Sequence, residues 1–242
     1  MGRSAAGWNL LKRLESIPEA IRSPFLLVLL LQAGLFVAGP LPNLTRFGPL
    51  ILSAAACFML GLSVHASDCG RGMKRLGWLA ATVLFVANQI GGAVDGRAAG
   101  IMLHLLFPLL VTTACVLVLR TVLRSKEVGV EQIYAGISFY LMLGILWANA
   151  YVLLDWLDLT PAAFSRDLVP GGPPGALLGG QYAELLYFSY ITLTTVGYGD
   201  IFPTHPISRN LAAFEAVAGQ IYIAVLLARL VTLHGVRRDK RE

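Results

Sequence analysis

Six consecutive residues, Thr195-Val196-Gly197-Tyr198-Gly199-Asp200, are the stretch of this 242-residue sequence best equipped to do chemistry. Gly occupies alternate positions, and Gly takes positive φ without steric cost. A backbone whose dihedrals alternate in hand can turn successive carbonyl oxygens to one side, with the Val196 and Tyr198 side chains turned to the other. Rings of such carbonyls can replace the water around a cation. A lone Gly-Tyr-Gly would equally suit a Gly-rich turn. The elements around the motif decide between the two.

The sequence from Gln181 reads QYAELLYFSYITLTT. A helix over 181–194 is about 20 Å long. That is too short to cross a bilayer, and it fits a re-entrant segment surrounded by protein or water. The Pro- and Gly-rich run from Pro170 to Gly180 before it reads as an irregular loop. After the motif, residues 209–233 read as a spanning helix. Upstream, five uncharged stretches are long enough to cross: Ser23 to Thr45, then those enclosed by Arg46 and Asp68, Arg75 and Asp95, Arg97 and Arg120, and Glu131 and Asp155. The expectation is an all-α polytopic membrane protein with six transmembrane helices plus a re-entrant helix.

Composition agrees. The chain is 56% hydrophobic and only 14% charged, against about 25% charged in a soluble domain. This argues against a soluble, disordered or nucleic-acid-binding protein. Three Cys exclude a disulfide scaffold. The first apolar stretch is too long for a signal peptide, and no small-residue cleavage site follows it. Of nineteen Lys and Arg, all but Arg46, Arg97, Arg166 and Arg209 fall on one side of the six-span layout. The positive-inside rule therefore puts both termini in the cytosol. Residues 1–22, with the amphipathic piece WNLLKRLESI, read either as an interfacial helix or as a partly ordered basic tail. No HExxH, P-loop, GxSxG or paired CxxC is present, so neither an enzyme nor a cofactor is expected.

In that setting TVGYG followed by Asp resembles the selectivity filter of potassium channels, uninterrupted and in the family's place between a short pore helix and a final span. The resemblance covers roughly residues 132–233: outer helix 132–154, pore helix 181–194, filter 195–199 and inner helix 209–233, within a pore domain of 127–233. It extends to the four front helices (23–126) only in general layout, and residues 234–242 form a basic tail attracted to anionic lipid. It implies K+ as the permeant ion, held by the carbonyls of Thr195, Val196, Gly197 and Tyr198. The Thr195 hydroxyl is the innermost ligand, and Gly199 is the second permissive position. One filter per chain makes a quarter of a ring, so a cyclic homotetramer is implied. Thr194, Tyr187 and Asp200 are expected to support the filter. Tyr187, Phe188 and Tyr190 stand where the family packs aromatics around the filter tyrosine. Ile191 stands where some members carry a Glu that bonds the filter Asp, so Tyr187 is the remaining partner for Asp200. Glu184 reads as a first-turn acid of the pore helix.

On the inner helix, Gly219 stands nineteen positions after Asp200, where simple members carry a hinge glycine. Bending and close helix packing both want Gly there. At about 100° per residue, Gln220, Ile223, Leu227 and Val231 share a stripe that the resemblance turns to the pore. Leu227 and Val231 could gate by dewetting. Arg229 falls opposite Gln220 and is expected to snorkel to lipid headgroups. Glu215 is off the stripe. It is expected to face the pore helix, hydrogen-bond near Tyr190 or Thr192 and so support the filter, the alternative being an interfacial Glu near the outer end of the helix.

The front helices lack the arginine series of a voltage sensor. The fourth carries only Arg120 and Arg124, at its cytosolic end, so little voltage sensitivity is expected. His65 and Cys69 have a metal-like spacing but no second pair. His104 reads as a core or interfacial residue, Cys57 and Cys115 as buried thiols, and Asn88 and Gln89 as interhelical hydrogen-bonders. The functional expectation is passive, potassium-selective conduction without a conventional voltage sensor, with membrane lipids and the chain's own copies as partners. The Ala/Leu/Gly/Arg-rich usage leans toward a bacterial plasma membrane. The alternative is a non-conducting or regulatory subunit whose front helices sense a ligand or lipid.

Overall fold

The computed structural model describes residues 23–38, 47–91, 97–125, 129–156, 164–165 and 180–239. The described residues form seven helices: α1 (Pro24–Val37), α2 (Gly48–Ala66), α3 (Arg71–Gly91), α4 (Arg97–Arg124), α5 (Val130–Trp156), α6 (Gly180–Leu193) and α7 (Pro206–Asp239). Pro24 opens α1 at the first turn, where a missing N–H costs nothing. Apart from one short bridge pairing Phe164 with Pro203, the described structure is helical.

Among the described residues, three helical segments are long and apolar enough to cross a membrane: Leu105–Arg124, Val130–Leu154 and Pro206–Thr232. At the other three expected spans the described helices differ in length and polarity. The helix α1 has 14 residues, about 21 Å at 1.5 Å per residue against a hydrocarbon core of about 30 Å. The rest of that stretch, with Arg46, lies outside the described residues. Helix α2 is apolar over most of its 19 residues, about 28 Å at 1.5 Å per residue. Helix α3 is amphipathic and carries Arg71, Lys74 and Arg75 in its first turns. The N-terminal segment 1–22 and the Pro170–Gly179 run are also outside the described residues, as are residues 240–242 of the basic tail.

Helices α1, α2, α4 and α5 share one core, in which Phe25, Val28, Leu60, Val111, Val118 and Met142 are buried. Helix α3 closes onto it by packing against α2 and α4. A second core surrounds α6. There Tyr182, Leu185 and Phe188 meet Ala148, Tyr151 and Val152 of α5, Ile201, and Ala212 of α7. The short α6 is thus held between two long helices, with its C-terminus feeding the Thr195–Asp200 motif.

Candidate functional site

The motif leaves α6 through a tight reversal. The Thr194 N–H donates to the Tyr190 carbonyl at 3.0 Å, and the Thr195 N–H to the Thr192 carbonyl at 2.9 Å. The Thr194 hydroxyl also donates to the Tyr190 carbonyl, at 2.6 Å. The N–H groups of Val196 and Gly197 then both turn back onto the Ile191 carbonyl, at 2.9 and 3.1 Å. Every described peptide bond is trans, and in a trans peptide the C=O points opposite to the N–H. The Thr195 and Val196 carbonyls therefore point the same way, away from α6. Positive φ falls on every second residue: Thr195 at 59°, Gly197 at 56° and Gly199 at 77°.

Sequence reasoning expected glycine at the left-handed positions and missed Thr195. A non-Gly residue there is uncommon and costs about 1–2 kcal/mol. It stays because the hydrogen bonds on both sides of it fix the backbone. Residues 194–200 are all exposed in the single chain, with Val196 at 51% and Tyr198 at 73%. The open carbonyl row and these two uncovered apolar side chains lie in one five-residue segment. After Asp200 the chain is pinned: Ile201 is buried, the Ser165 N–H donates to the Phe202 carbonyl at 2.9 Å, and the Phe202 N–H donates to Ser165 Oγ at 3.2 Å.

The expected aromatic cuff is different within the chain. Phe188 stacks edge-on against Tyr151 and Phe164. Tyr190 donates its hydroxyl to the Leu141 carbonyl at 2.9 Å and lies against Phe36 of α1, ring centroids 4.5 Å apart. A Cβ on Gly144 would stand 2.5 Å from the Tyr190 ring, so glycine there is what admits the tyrosine. Both aromatics pack against α5. Tyr187 is the exposed one of the three, at 38%. Glu184 is also exposed and, because α6 begins at Gly180, stands in its second turn.

Glu215 is fully buried and faces α6 as expected, but its partners differ from those expected. The Tyr151 hydroxyl lies 2.6 Å from Oε2, and Ser189 Oγ lies 2.5 Å from Oε1. Tyr190 is occupied elsewhere, and Ser189 stands on the α6 face that meets both long helices. Gly219 is buried against the C-terminal end of α6. A Cβ there would come within 2.5 Å of the Leu193 carbonyl oxygen and 2.9 Å of Leu193 Cδ1. Of the two reasons for a glycine, close packing is visible, and α7 runs unbroken through it. The same Leu193 carbonyl accepts the Tyr140 hydroxyl at 3.0 Å.

Gln220, Leu227 and Val231 are exposed and Ile223 is half-buried. The neighbouring Phe214, Val217, Ile221 and Val225 are exposed as well, so exposure in one chain does not single out the stripe. Arg229 corrects its expectation. It does not snorkel to headgroups; its Nη2 donates to the Leu123 and Ser125 carbonyls at 2.8 and 2.7 Å. These are among the orphan carbonyls at the end of α4, where a cation is favoured. Among the front residues, Gln89 donates to Ser53 Oγ at 3.0 Å. His65 Nδ1 accepts from Trp78 Nε1 at 3.4 Å, and the Cys69 thiol donates to the Val64 carbonyl at 3.4 Å. Cys57 and Cys115 are buried, free thiols. The side chains of Arg97 and His104 lie outside the described set.

Sequence reasoning also missed the tyrosines that lock α5 to its neighbours: Tyr140, Tyr151 and Tyr222. Tyr222 donates to the Gly136 carbonyl at 2.8 Å. The available signal was chemical, since a buried tyrosine hydroxyl usually finds a partner.

Residues 175–234 match a family model described as "Ion channel". This window holds α6, the motif and most of α7. Among curated proteins the chain is similar to the Two-pore potassium channel 1 of Arabidopsis thaliana, 44% identical over 46 residues, covering 19% of this chain and 13% of that protein. It is also similar to the Inward rectifier potassium channel Kirbac3.1 of Paramagnetospirillum magnetotacticum, 27% identical over 88 residues, covering 36% of this chain and 24% of that protein. The chain thus spans a minor part of either relative's length. No solved structure matches it significantly. Together with the three long apolar helices, these matches mark a helical membrane protein that carries an ion-channel segment.

Proposed function

We propose that this chain is the subunit of a potassium-selective channel, conducting passively through a pore that four copies build around Thr195, Val196, Gly197, Tyr198 and Gly199. The observation that carries the reading is the backbone of the motif. The Val196 and Gly197 N–H groups converge on the Ile191 carbonyl, the left-handed residues alternate, and the Thr195 and Val196 carbonyls are thereby free to face an ion. The relatives named above are potassium channels by name, which favours K+ as that ion. Carbonyl rings replace the hydration shell of K+, and the Thr195 hydroxyl supplies the innermost oxygen.

A single row of carbonyls cannot surround an ion, and Val196 and Tyr198 need cover, so the reading includes a cyclic homotetramer. It includes six crossings, both termini cytosolic, and a bacterial plasma membrane. Tyr187 and Asp200 support the filter from its outer side. Gln220, Ile223, Leu227 and Val231 line the inner pathway, with Leu227 and Val231 as its constriction. With Arg120 and Arg124 exposed at one end of α4, the front helices do not act as a voltage sensor. The reading needs no cofactor and no catalytic step.

Purified protein in liposomes tests it. Flux down a potassium gradient that barium blocks, with little sodium flux, is the expected result. Equal potassium and sodium flux, or flux indifferent to barium, would overturn potassium selectivity.

A further inference from the structure

The hydrogen bonds around Glu215 pose a counting problem. Three oxygen–oxygen contacts join α5, α6 and α7 in one chain: Tyr151 to Glu215 Oε2 at 2.6 Å, Ser189 to Glu215 Oε1 at 2.5 Å, and Ser189 to the Gly144 carbonyl at 2.8 Å. Each contact needs one hydrogen. The Gly144 carbonyl brings none, and the Tyr151 and Ser189 hydroxyls bring one each. An ionised carboxylate only accepts. With Glu215 ionised, one of the three contacts would set two acceptors face to face inside the protein.

We infer that Glu215 is a protonated carboxylic acid at neutral pH, and that its proton is a structural ligand joining the three helices. The directions of donation then follow. The Glu215 carboxyl donates from Oε1 to Ser189 Oγ. Ser189 passes its own hydrogen to the Gly144 carbonyl, and Tyr151 donates to Oε2. Every hydrogen is used once and every contact is satisfied.

The surroundings agree with a neutral acid. Glu215 is fully buried, and α7 packs there against α5 and α6. Neither of those helices carries a Lys, Arg or His. Among the described side chains, the titratable groups that face Glu215 are Tyr151 and Tyr140 of α5, and α6 offers the Ser189 hydroxyl. Glu184 of α6 is exposed, and Glu131 of α5 stands at the other end of that helix. On α7 itself, Arg209 is exposed and Arg229 is spent on the α4 carbonyls. A buried charge without a partner is costly, and the neutral form avoids that cost.

The site also matters for position. Ser189 lies one residue before Tyr190, whose ring occupies the space left by Gly144, and two before Ile191, whose carbonyl anchors the motif. The Glu215 proton therefore holds the turn of α6 from which the motif is hung. This holds whether or not the pore selects potassium.

Infrared spectra of the purified protein at neutral pH test the inference without any conduction. The wild type should show a protonated-carboxyl C=O band that is absent in Glu215→Gln and displaced in Ser189→Ala. No such band in the wild type would overturn it. Should Glu215→Gln fail to fold, 13C-glutamate labelling of the wild type decides: a band that moves with the label supports the inference, and none that moves overturns it. A second readout is thermal stability against pH. A native state that binds one more proton than the unfolded chain loses stability as pH rises. The wild-type Tm should therefore fall as pH is raised through neutrality while that of Glu215→Gln does not, because the amide reproduces the donor and acceptor of the acid. Equal slopes would overturn it.

Discussion

The core of the front helices and the core around α6 are held by different kinds of contact. In the front bundle the buried positions are mostly aliphatic: Val28, Leu60, Val64, Val111 and Val118 fill it. Its cross-helix polar ties include Gln89 to Ser53 and the Asp68 N–H to Thr121 Oγ1 toward the helix ends and, inside the bundle, Gln32 Nε2 to the Ser138 carbonyl. Around α6 and along the seam between α5 and α7 the contacts are directional. Hydroxyls of Tyr140, Tyr190 and Tyr222 each donate to a carbonyl of a neighbouring helix, and Tyr151 and Ser189 close on Glu215. Aliphatic packing tolerates small shifts at little cost. Hydrogen bonds fix distance and angle. The part of the molecule that must present a carbonyl row with fixed geometry is the part built with bonds that fix geometry. Arg229 links the two, since it sits on α7 and holds the end of α4.

The largest effect should come from the motif. Gly199 has φ 77°, and Ala there costs about 1–2 kcal/mol in the left-handed region. Gly199→Ala should cut potassium flux by about tenfold or more while leaving the Tm of the front bundle in place. Gly219→Ala comes next. Its methyl would meet the Leu193 carbonyl at 2.5 Å, and such overpacking costs about 1–3 kcal/mol. A clearly lowered Tm is expected. An unchanged Tm with altered channel opening would favour the hinge over close packing.

Arg229→Gln removes the charge from the α4 end and should destabilise by about 1.5–3 kcal/mol, the range for hydrogen bonds to charged groups. Faster protease cleavage around residues 123–129 would register it. The smallest effects separate the two regions most sharply. Tyr222→Phe deletes one hydroxyl bond, worth about 0.6 kcal/mol between helices in a membrane, and should displace α7 from Gly136. Met59→Leu in the front core should cost less than about 1.5 kcal/mol and leave flux alone. If Met59→Leu disturbs flux more than Tyr222→Phe does, the contrast between the regions fails.

The sequence carried the motif and the helices that position it because both are local signals. Alternate glycines are visible as letters, and apolar length is visible as spacing between charges. Helices α4, α5 and α7 were legible for that reason. Helices α1 and α3 were less so, because an uncharged stretch does not say where its helix ends or whether one face is polar. The partners of Glu215 were not legible. Tyr151 and Ser189 lie 64 and 26 positions away in sequence, and only the packing of three helices brings them together. Arg229 misled for a related reason. Its angle on α7 was computable, but the α4 end waiting there, over 100 positions upstream, was not. Thr195 took a left-handed φ because of flanking hydrogen bonds that no residue type announces.

The central claim is that the carbonyls of residues 195–199 select potassium. The most direct test is the reversal potential of the purified protein in a planar bilayer, with potassium on one side and an equal concentration of sodium on the other. The account predicts a large potential in the sense of potassium preference for the wild type, lost in Gly199→Ala. A wild-type potential near zero in a conducting bilayer would contradict it.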